Sequence, residues 1–182
     1  MRAASRLFFG VCLPFFACTI LAGQAKPGAE VGTSVGLTIL SASGSSLTQF
    51  GIPGNGIQAS PTIYATFFAS RSLMVEPQAA FSSLSGGGST LTSLGVALQV
   101  GYLFTPAATG SGYLAANGAF QSTSLSGGGG SLSGPGLGAA LGYRFKVRNN
   151  LAIRLDARYR RWFSDYSDLN EIGFGLGLGA IF

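Results

Sequence analysis

The chain has 182 residues and a formal net charge of +5, and 9 % of its residues are charged whereas 47 % are hydrophobic. A water-soluble β-sandwich or barrel needs a charged or polar outer face, and this composition is too poor in charge to supply one. Histidine is absent from the sequence, which excludes a Ser-His-Asp triad and any histidine-based metal site.

The start of the chain has the three parts of a secretory signal. Arg2 and Arg6 precede an apolar run over 7–21, and small residues follow it. A run of about 15 apolar residues falls short of the ~20 that a spanning helix needs. We therefore predict a signal peptide over 1–25 that is removed after export together with both cysteines, and one mature domain over 26–182.

Apolar residues alternate with glycine and polar residues along most of the mature chain, which predicts β-strands. Eight strands are predicted, at 30–40, 61–69, 73–83, 90–104, 112–121, 135–145, 151–162 and 171–182. The connections at one end of the strands are predicted at 41–60, 84–89, 122–134 and 163–170, and those at the other end at 70–72, 105–111 and 146–150. The Gly/Ser-rich 122–134 is interpreted as a mobile outer loop, and Pro77 predicts a local bulge because proline cannot donate to the ladder.

Lipid around the strands would explain an exterior that lacks charge. Only helices and closed barrels can satisfy their backbone groups in lipid, and alternating strands favour the barrel. The predicted fold is all-β: an eight-stranded antiparallel transmembrane up-and-down β-barrel with short periplasmic turns and longer outer loops. Aromatic residues at strand ends predict two interfacial girdles. The girdle at the periplasmic side would hold Phe67, Tyr102, Phe104, Tyr143, Phe145 and Phe182, and the outer girdle would hold Phe81, Phe120 and Tyr159.

Strand parity sends four acidic and four basic side chains into the barrel. They are Glu30, Glu76, Arg144, Arg154, Asp156, Arg158, Arg160 and Glu171. An eight-stranded barrel is just wide enough inside for side chains, so these residues are predicted to fill it as an arginine–carboxylate network. Inward-facing glycines on the neighbouring strands would leave room for the long side chains. The alternative is that the same charges line a narrow channel for small solutes or ions, or bind an anion.

The last strand places Phe174, Leu176, Leu178 and Phe182 on one face, opposite glycine at every second position. An apolar strand that ends in phenylalanine resembles the closing strand of bacterial outer-membrane barrels. With the alternating strands and Leu155-Asp-Ala-Arg-Tyr159, the mature chain resembles small barrels of the OmpX, opacity-protein and OmpA-transmembrane kind, grouped with porin-family barrel domains. The resemblance implies export to the bacterial outer membrane, a terminal signal for the barrel-assembly machinery, and a structural or surface-interaction role without cofactor or metal.

Arg161 faces outward near the upper rim by parity. It is predicted either to contact lipopolysaccharide phosphate or to be a solvated rim charge. Asp165 and Asp168 are candidates for a histidine-free catalytic site, but the simpler interpretation is that they are loop charges. We therefore expect a protein that is not an enzyme.

Two further expectations concern partners. Any extracellular partner should bind the outer loops 41–60 and 122–134. A nucleic-acid surface is not expected, because four of the basic residues between Arg144 and Arg161 face inward.

Overall fold

The computed structural model describes residues 28–51, 63–104, 109–127 and 129–182. The predicted signal peptide therefore lies outside the described residues. The strands are β1 Ala29–Ala42, β2 Ser45–Gly51, β3 Ile63–Phe68, β4 Leu73–Gly86, β5 Ser89–Phe104, β6 Gly110–Leu125, β7 Ser131–Arg148, β8 Leu151–Trp162 and β9 Asn170–Ile181. A single 3-10 turn, Ser164–Tyr166, lies between β8 and β9. No helix in the described ranges is long and apolar enough to cross a membrane.

The strands form one antiparallel sheet that closes on itself. Its order is β2-β1-β3-β4-β5-β6-β7-β8-β9, and β1 also pairs with β9 from Glu30 opposite Ile181 to Ser41 opposite Asn170. Nine strands fill eight positions because β2 and β3 pair with the same side of β1, β2 with Gly36–Ala42 and β3 with Ala29–Thr33. The predicted closed eight-stranded antiparallel barrel is therefore confirmed.

We call the end of the barrel that carries Ala29 and Phe182 the terminal end. The opposite end, which carries the turns at Gly44, Gly87 and Gly127, is called the outer end. Between them the outward positions are apolar and exposed, as at Leu98, Leu141 and Leu176. All nine aromatics predicted for the two girdles are exposed on the outside. The alternation in the sequence thus predicted correctly which face of each strand leaves the barrel.

In the parts that the structure describes, three connections predicted as outer loops are mostly strand. The segment predicted as loop 41–60 begins with the end of β1, a turn at Ser43 and Gly44, and β2; its remainder lies outside the described residues. In the segments 84–89 and 122–134, the chain stays in strands up to tight turns around Gly87 and Gly127. The prediction of a mobile loop over 122–134 is wrong for the strand residues at both ends of that segment. Ser and Thr pair across neighbouring strands there, and glycines with positive φ stand only at the turns.

Pro77 does not form the predicted bulge. It pairs with Leu98 of β5 in an unbroken register. On its other side the β3–β4 ladder is interrupted opposite Pro77, but the pairs Tyr64–Gln78 and Phe67–Val75 have the same register. Proline therefore costs ladder contacts without shifting the strand. The register shift lies instead in β7, between Lys146 and Arg148.

Candidate functional site

The inward faces of the strands carry the charges. All eight predicted lumen residues point into the barrel, and six of them, Glu30, Glu76, Arg154, Arg158, Arg160 and Glu171, are at most 4 % exposed. Arg144 and Asp156 are slightly more open. The structure brings the eight together as three ion-paired clusters at successive depths along the lumen.

The cluster nearest the terminal end is centred on Glu30. Arg144 on β7 donates from Nε to Glu30 Oε2 at 2.5 Å, and the Tyr64 hydroxyl donates to Glu30 Oε1 at 3.0 Å. The Arg144 guanidinium also lies 5.1 Å from the centre of the Phe68 ring. Since β1 and β7 are not neighbours in the sheet, Arg144 spans the lumen and narrows this end.

The middle cluster pairs Arg154 with Glu76. Glu76 also accepts hydrogen bonds from Thr66 and Gln78, so one fully buried carboxylate has three donors. Arg154 Nε lies 3.6 Å from Asp156 Oδ2. The Arg154 guanidinium stacks over the Tyr64 ring, 4.2 Å from its centre. Paired and hydrogen-bonded in this way, the two buried charges avoid most of the penalty of lost hydration.

The third cluster surrounds Glu171 on β9, nearer the outer end. Glu171 accepts from Arg158 Nε at 2.9 Å, from Arg160 Nη1 at 3.2 Å and from the Trp162 indole N–H at 2.9 Å. Arg160 also donates from Nη2 to Asn117 Oδ1 at 2.6 Å. Two cations on β8 therefore share one carboxylate, and β6 joins the cluster through Asn117.

The connection between β8 and β9 folds over this cluster. Tyr166 of the 3-10 turn is buried, and its ring packs edge-on against Trp162 with centroids 5.9 Å apart. Its hydroxyl lies 3.2 Å from Thr123 Oγ1 and 3.2 Å from the Leu132 carbonyl oxygen. Asp165 holds the turn by accepting the Ser133 backbone N–H at 2.8 Å. The two rings thus cover the lumen at its outer side.

Glycines on β9 make the space for these side chains. A Cβ atom at Gly173 would lie 2.9 Å from Arg158 Nη2, and one at Gly175 would lie 2.8 Å from Asp156 Oδ1. These separations are shorter than real Cβ contacts, so a larger residue would have to displace the charged group. The glycine face of the last strand is therefore a groove that the charges of β8 occupy.

Several residues that complete the site were not predicted from the sequence, namely Tyr64, Tyr113, Asn117, Trp162 and Tyr166. Strand parity carried the signal for Trp162, which has the same inward parity as Arg154. It also carried the signal for Tyr113, whose ring lies over Gly142 on the neighbouring strand. Tyr166 gave no such signal, because it lies outside the strands.

The remaining candidate residues lie outside the lumen. Arg161 is exposed at the outer end, where it donates to Asn170 Oδ1 at 3.2 Å and to the Ser167 carbonyl at 3.4 Å. Asp168 is exposed in the β8–β9 connection, and Asp165 is exposed but bound to the backbone. In the described parts of the chain, no three His, Cys, Asp or Glu side chains are grouped so that they could hold a metal ion.

A closed antiparallel barrel with an apolar exterior, aromatic girdles and a polar, ion-paired interior is a transmembrane β-barrel of the outer-membrane class. The family model described as outer membrane protein beta-barrel domain matches residues 9–182, so the chain belongs to that family and is an integral protein of the outer membrane. The terminal end is accordingly the periplasmic end. A search of curated protein sequences gives no match.

Solved structures share this fold. Ail, the attachment invasion locus protein of Yersinia pestis, solved in complex with the heparin analogue sucrose octasulfate, has a TM-score of 0.61 at 14 % identity; the match covers 87 % of this chain and 100 % of Ail. Neisserial surface protein A has a TM-score of 0.61 at 17 % identity, covering 84 % and 96 %. OprG of Pseudomonas aeruginosa has a TM-score of 0.52 at 12 % identity, covering 86 % and 96 %.

Proposed function

We propose that the protein is a structural or surface-interaction barrel with a lumen filled by side chains. The observation that carries the proposal is the set of three ion-paired clusters, centred on Glu30, Glu76 and Glu171, that cross the lumen beneath Tyr166 and Trp162. Paired charges that span a narrow interior leave little room for a solute.

Planar-bilayer recording of the purified protein tests this proposal. We expect no steady conductance from the native chain. Replacing Glu171 by glutamine, with Tyr166 replaced by alanine, removes one carboxylate and the outer cover and should raise the frequency of brief openings. A steady, sizeable conductance from the native protein would contradict the filled lumen.

The alternative function, a narrow channel for small solutes or ions, is favoured by one observation. Four buried polar atoms, Gln78 Oε1, Tyr113 Oη, Asn117 Nδ2 and Arg154 Nε, have no hydrogen-bond partner within the part of the chain that the structure describes. Buried polar groups usually bind water when protein partners are lacking. The same bilayer recording separates the two functions, since a hydrated but plugged lumen carries no steady current.

A surface-interaction role would use the parts of the barrel that stand above the outer girdle. Supporting it, β4 to β7 continue past Phe81 and Phe120 as strands rich in Ser and Thr. Replacing the predicted partner-binding segments 41–60 and 122–134 with short turns should abolish binding to host cells or matrix, while the shortened barrel still shows heat-modifiable migration on gels. Equal binding by the native and the shortened protein would show that these segments do not contact the partner.

Arg161 is the proposed contact for lipopolysaccharide phosphate. Asn170 and Ser167 hold its guanidinium at the outer rim, and the forked donors suit phosphate. Charge reversal with Arg161→Glu should weaken lipopolysaccharide binding and lower heat stability in lipopolysaccharide more than in phospholipid. Arg148→Glu at the periplasmic end is the control, and equal effects of the two variants would exclude a specific contact.

The closing strand is the proposed signal for the barrel-assembly machinery, through Phe174, Leu176, Leu178 and Phe182. All four are exposed on the lipid face, and Phe182 at the chain end is the most exposed of them. Removing Phe182 should slow assembly in cells while refolding into pure lipid vesicles proceeds at the native rate. Loss of refolding in vesicles would instead mean that Phe182 is needed for the barrel itself.

A further inference from the structure

Above the outer girdle the two faces of the strands exchange their polarity. In the membrane the outward positions are apolar, but beyond Phe81 and Phe120 they become hydroxyls. One row of paired positions crosses four strands through Ser83, Thr92, Ser124 and Ser131. On the opposite, lumen side of the same strand ends stand leucines: Leu91 has the same parity as buried Ser93, and Leu125 has the same parity as buried Gln121 and Thr123.

These inward leucines form a shelf at the outer mouth. Leu91 pairs with Leu125 across β5 and β6, and Leu132 pairs with Thr123 on the next strand. We call Leu91, Leu125 and Leu132 the leucine shelf. Leu125 is 42 % and Leu132 49 % exposed, although both have inward strand parity.

The floor beneath the shelf is closed. The Tyr166 hydroxyl contacts Thr123 and the carbonyl of Leu132, and Gln121 donates to Ser93 at 2.5 Å. A ligand on the shelf would therefore rest on Tyr166 and would not enter the charged clusters below. Exposed apolar groups placed in this way are typical of binding sites, because removing their surface from water lowers the free energy.

We propose that the leucine shelf binds a single aliphatic chain with an uncharged head group, arriving from outside the cell. The strand ends and turns over 82–93 and 121–134 contain no charged residue. Asp165, from the β8–β9 connection, lies against them, but its carboxylate is engaged by the Ser133 backbone N–H. These strand ends therefore offer no cation that would recognise an anionic head group. The leucines face into an eight-stranded barrel, whose interior admits only something as thin as side chains. A folded protein or a second copy of the chain would meet the outward hydroxyls instead. Binding at the shelf is independent of the proposed function, since it needs neither a host partner nor a conducting lumen.

The only tryptophan of the chain provides the readout. Trp162 packs against Tyr166, which touches the shelf residue Leu132. With the full protein in lipid nanodiscs, a nitroxide-labelled fatty alcohol should quench Trp162 fluorescence in a saturable manner. Replacing all three shelf leucines by serine should weaken the saturable quenching at least ~10-fold, because each loses apolar area that the chain would cover.

The control variant replaces Ser83, Ser124 and Ser131 by alanine, on the outward face of the same strand ends, and should quench like the native protein. Quenching that rises linearly with the concentration of the probe would mean that the probe partitions into bulk lipid, and would overturn the site. Equal quenching of the variant that lacks the shelf leucines and of the serine-to-alanine control would have the same meaning. A chemically cross-linked dimer that forms through a cysteine at Leu125, and that the fatty alcohol does not prevent, would assign the shelf to a second copy and also overturns it. If the triple leucine variant fails to fold, Leu125→Asn alone decides in the same way, since Leu125 is partly exposed.

Discussion

The buried Arg154–Glu76 pair gives the sharpest test of how the lumen is held together. Arg154 is 3 % exposed and Glu76 is fully buried, and Glu76 also accepts from Thr66 and Gln78. Removing one partner of such a pair costs roughly 3–5 kcal/mol, because the other charge stays buried without its counterion. We expect Glu76→Gln near the lower end of that range, since Arg154 keeps Asp156 at 3.6 Å.

Arg154→Met should cost more, because it also removes the cation stacked on Tyr64 and leaves Glu76 with neutral donors only. The double variant should be more stable than the sum of the two single losses predicts, with a coupling of about 2 kcal/mol. Urea unfolding of the protein refolded into vesicles, followed by Trp162 fluorescence and gel mobility, measures the free energy of unfolding of the native protein, the two single variants and the double variant. Arg148→Gln at the exposed periplasmic end is the control and should change stability by less than about 0.5 kcal/mol. Single losses under about 1 kcal/mol that add without coupling would refute the ion-paired lumen.

Two further pairs of variants test the exterior and the glycine groove. Leu141→Arg places a charge in lipid and should cost about 2–4 kcal/mol of unfolding free energy. Ser131→Arg, at an exposed outward position of the same strand above the membrane, should cost less than about 1 kcal/mol. Equal costs would contradict the assigned membrane position. Gly175→Val should cost about 1–3 kcal/mol because its Cβ would press on Asp156, whereas Gly118→Val on the lipid face should cost nothing. Urea titration in vesicles checks both pairs, and a harmless Gly175→Val would show that the groove is not filled.

Strand parity was enough to predict the lumen residues. A charge at an outward position such as Leu141 or Leu155 would face lipid, so the physics of the membrane leaves charged residues only the inward positions. The pairing of those charges could not be predicted in the same way. Arg144 and Arg154 are neighbours by register, yet one reaches Glu30 on β1 and the other Glu76 on β4. Long side chains cross the lumen, so their partners depend on the closed shape of the barrel.

The outer strand ends were missed for a different reason. Ser and Gly are typical of loops, and 122–134 contains little else. Those residues are held in strands because 122–125 of β6 pairs with 91–94 of β5, and 131–134 of β7 pairs with 121–124 of β6. A single sequence shows composition but not which edge a segment will meet, and for the same reason Tyr166 could not be placed over the lumen.

The central claim is that lipid surrounds the apolar faces of the strands. Nitroxide labels on single cysteines introduced at Leu176, Leu141 and Ser124 of the mature domain over 26–182, which contains no cysteine of its own, test it by electron paramagnetic resonance in vesicles. We expect the labels at Leu176 and Leu141 to collide with dissolved oxygen and to be shielded from a water-soluble nickel complex, and the label at Ser124 to show the reverse. Ready access of the nickel complex to Leu176 and Leu141 would contradict the account.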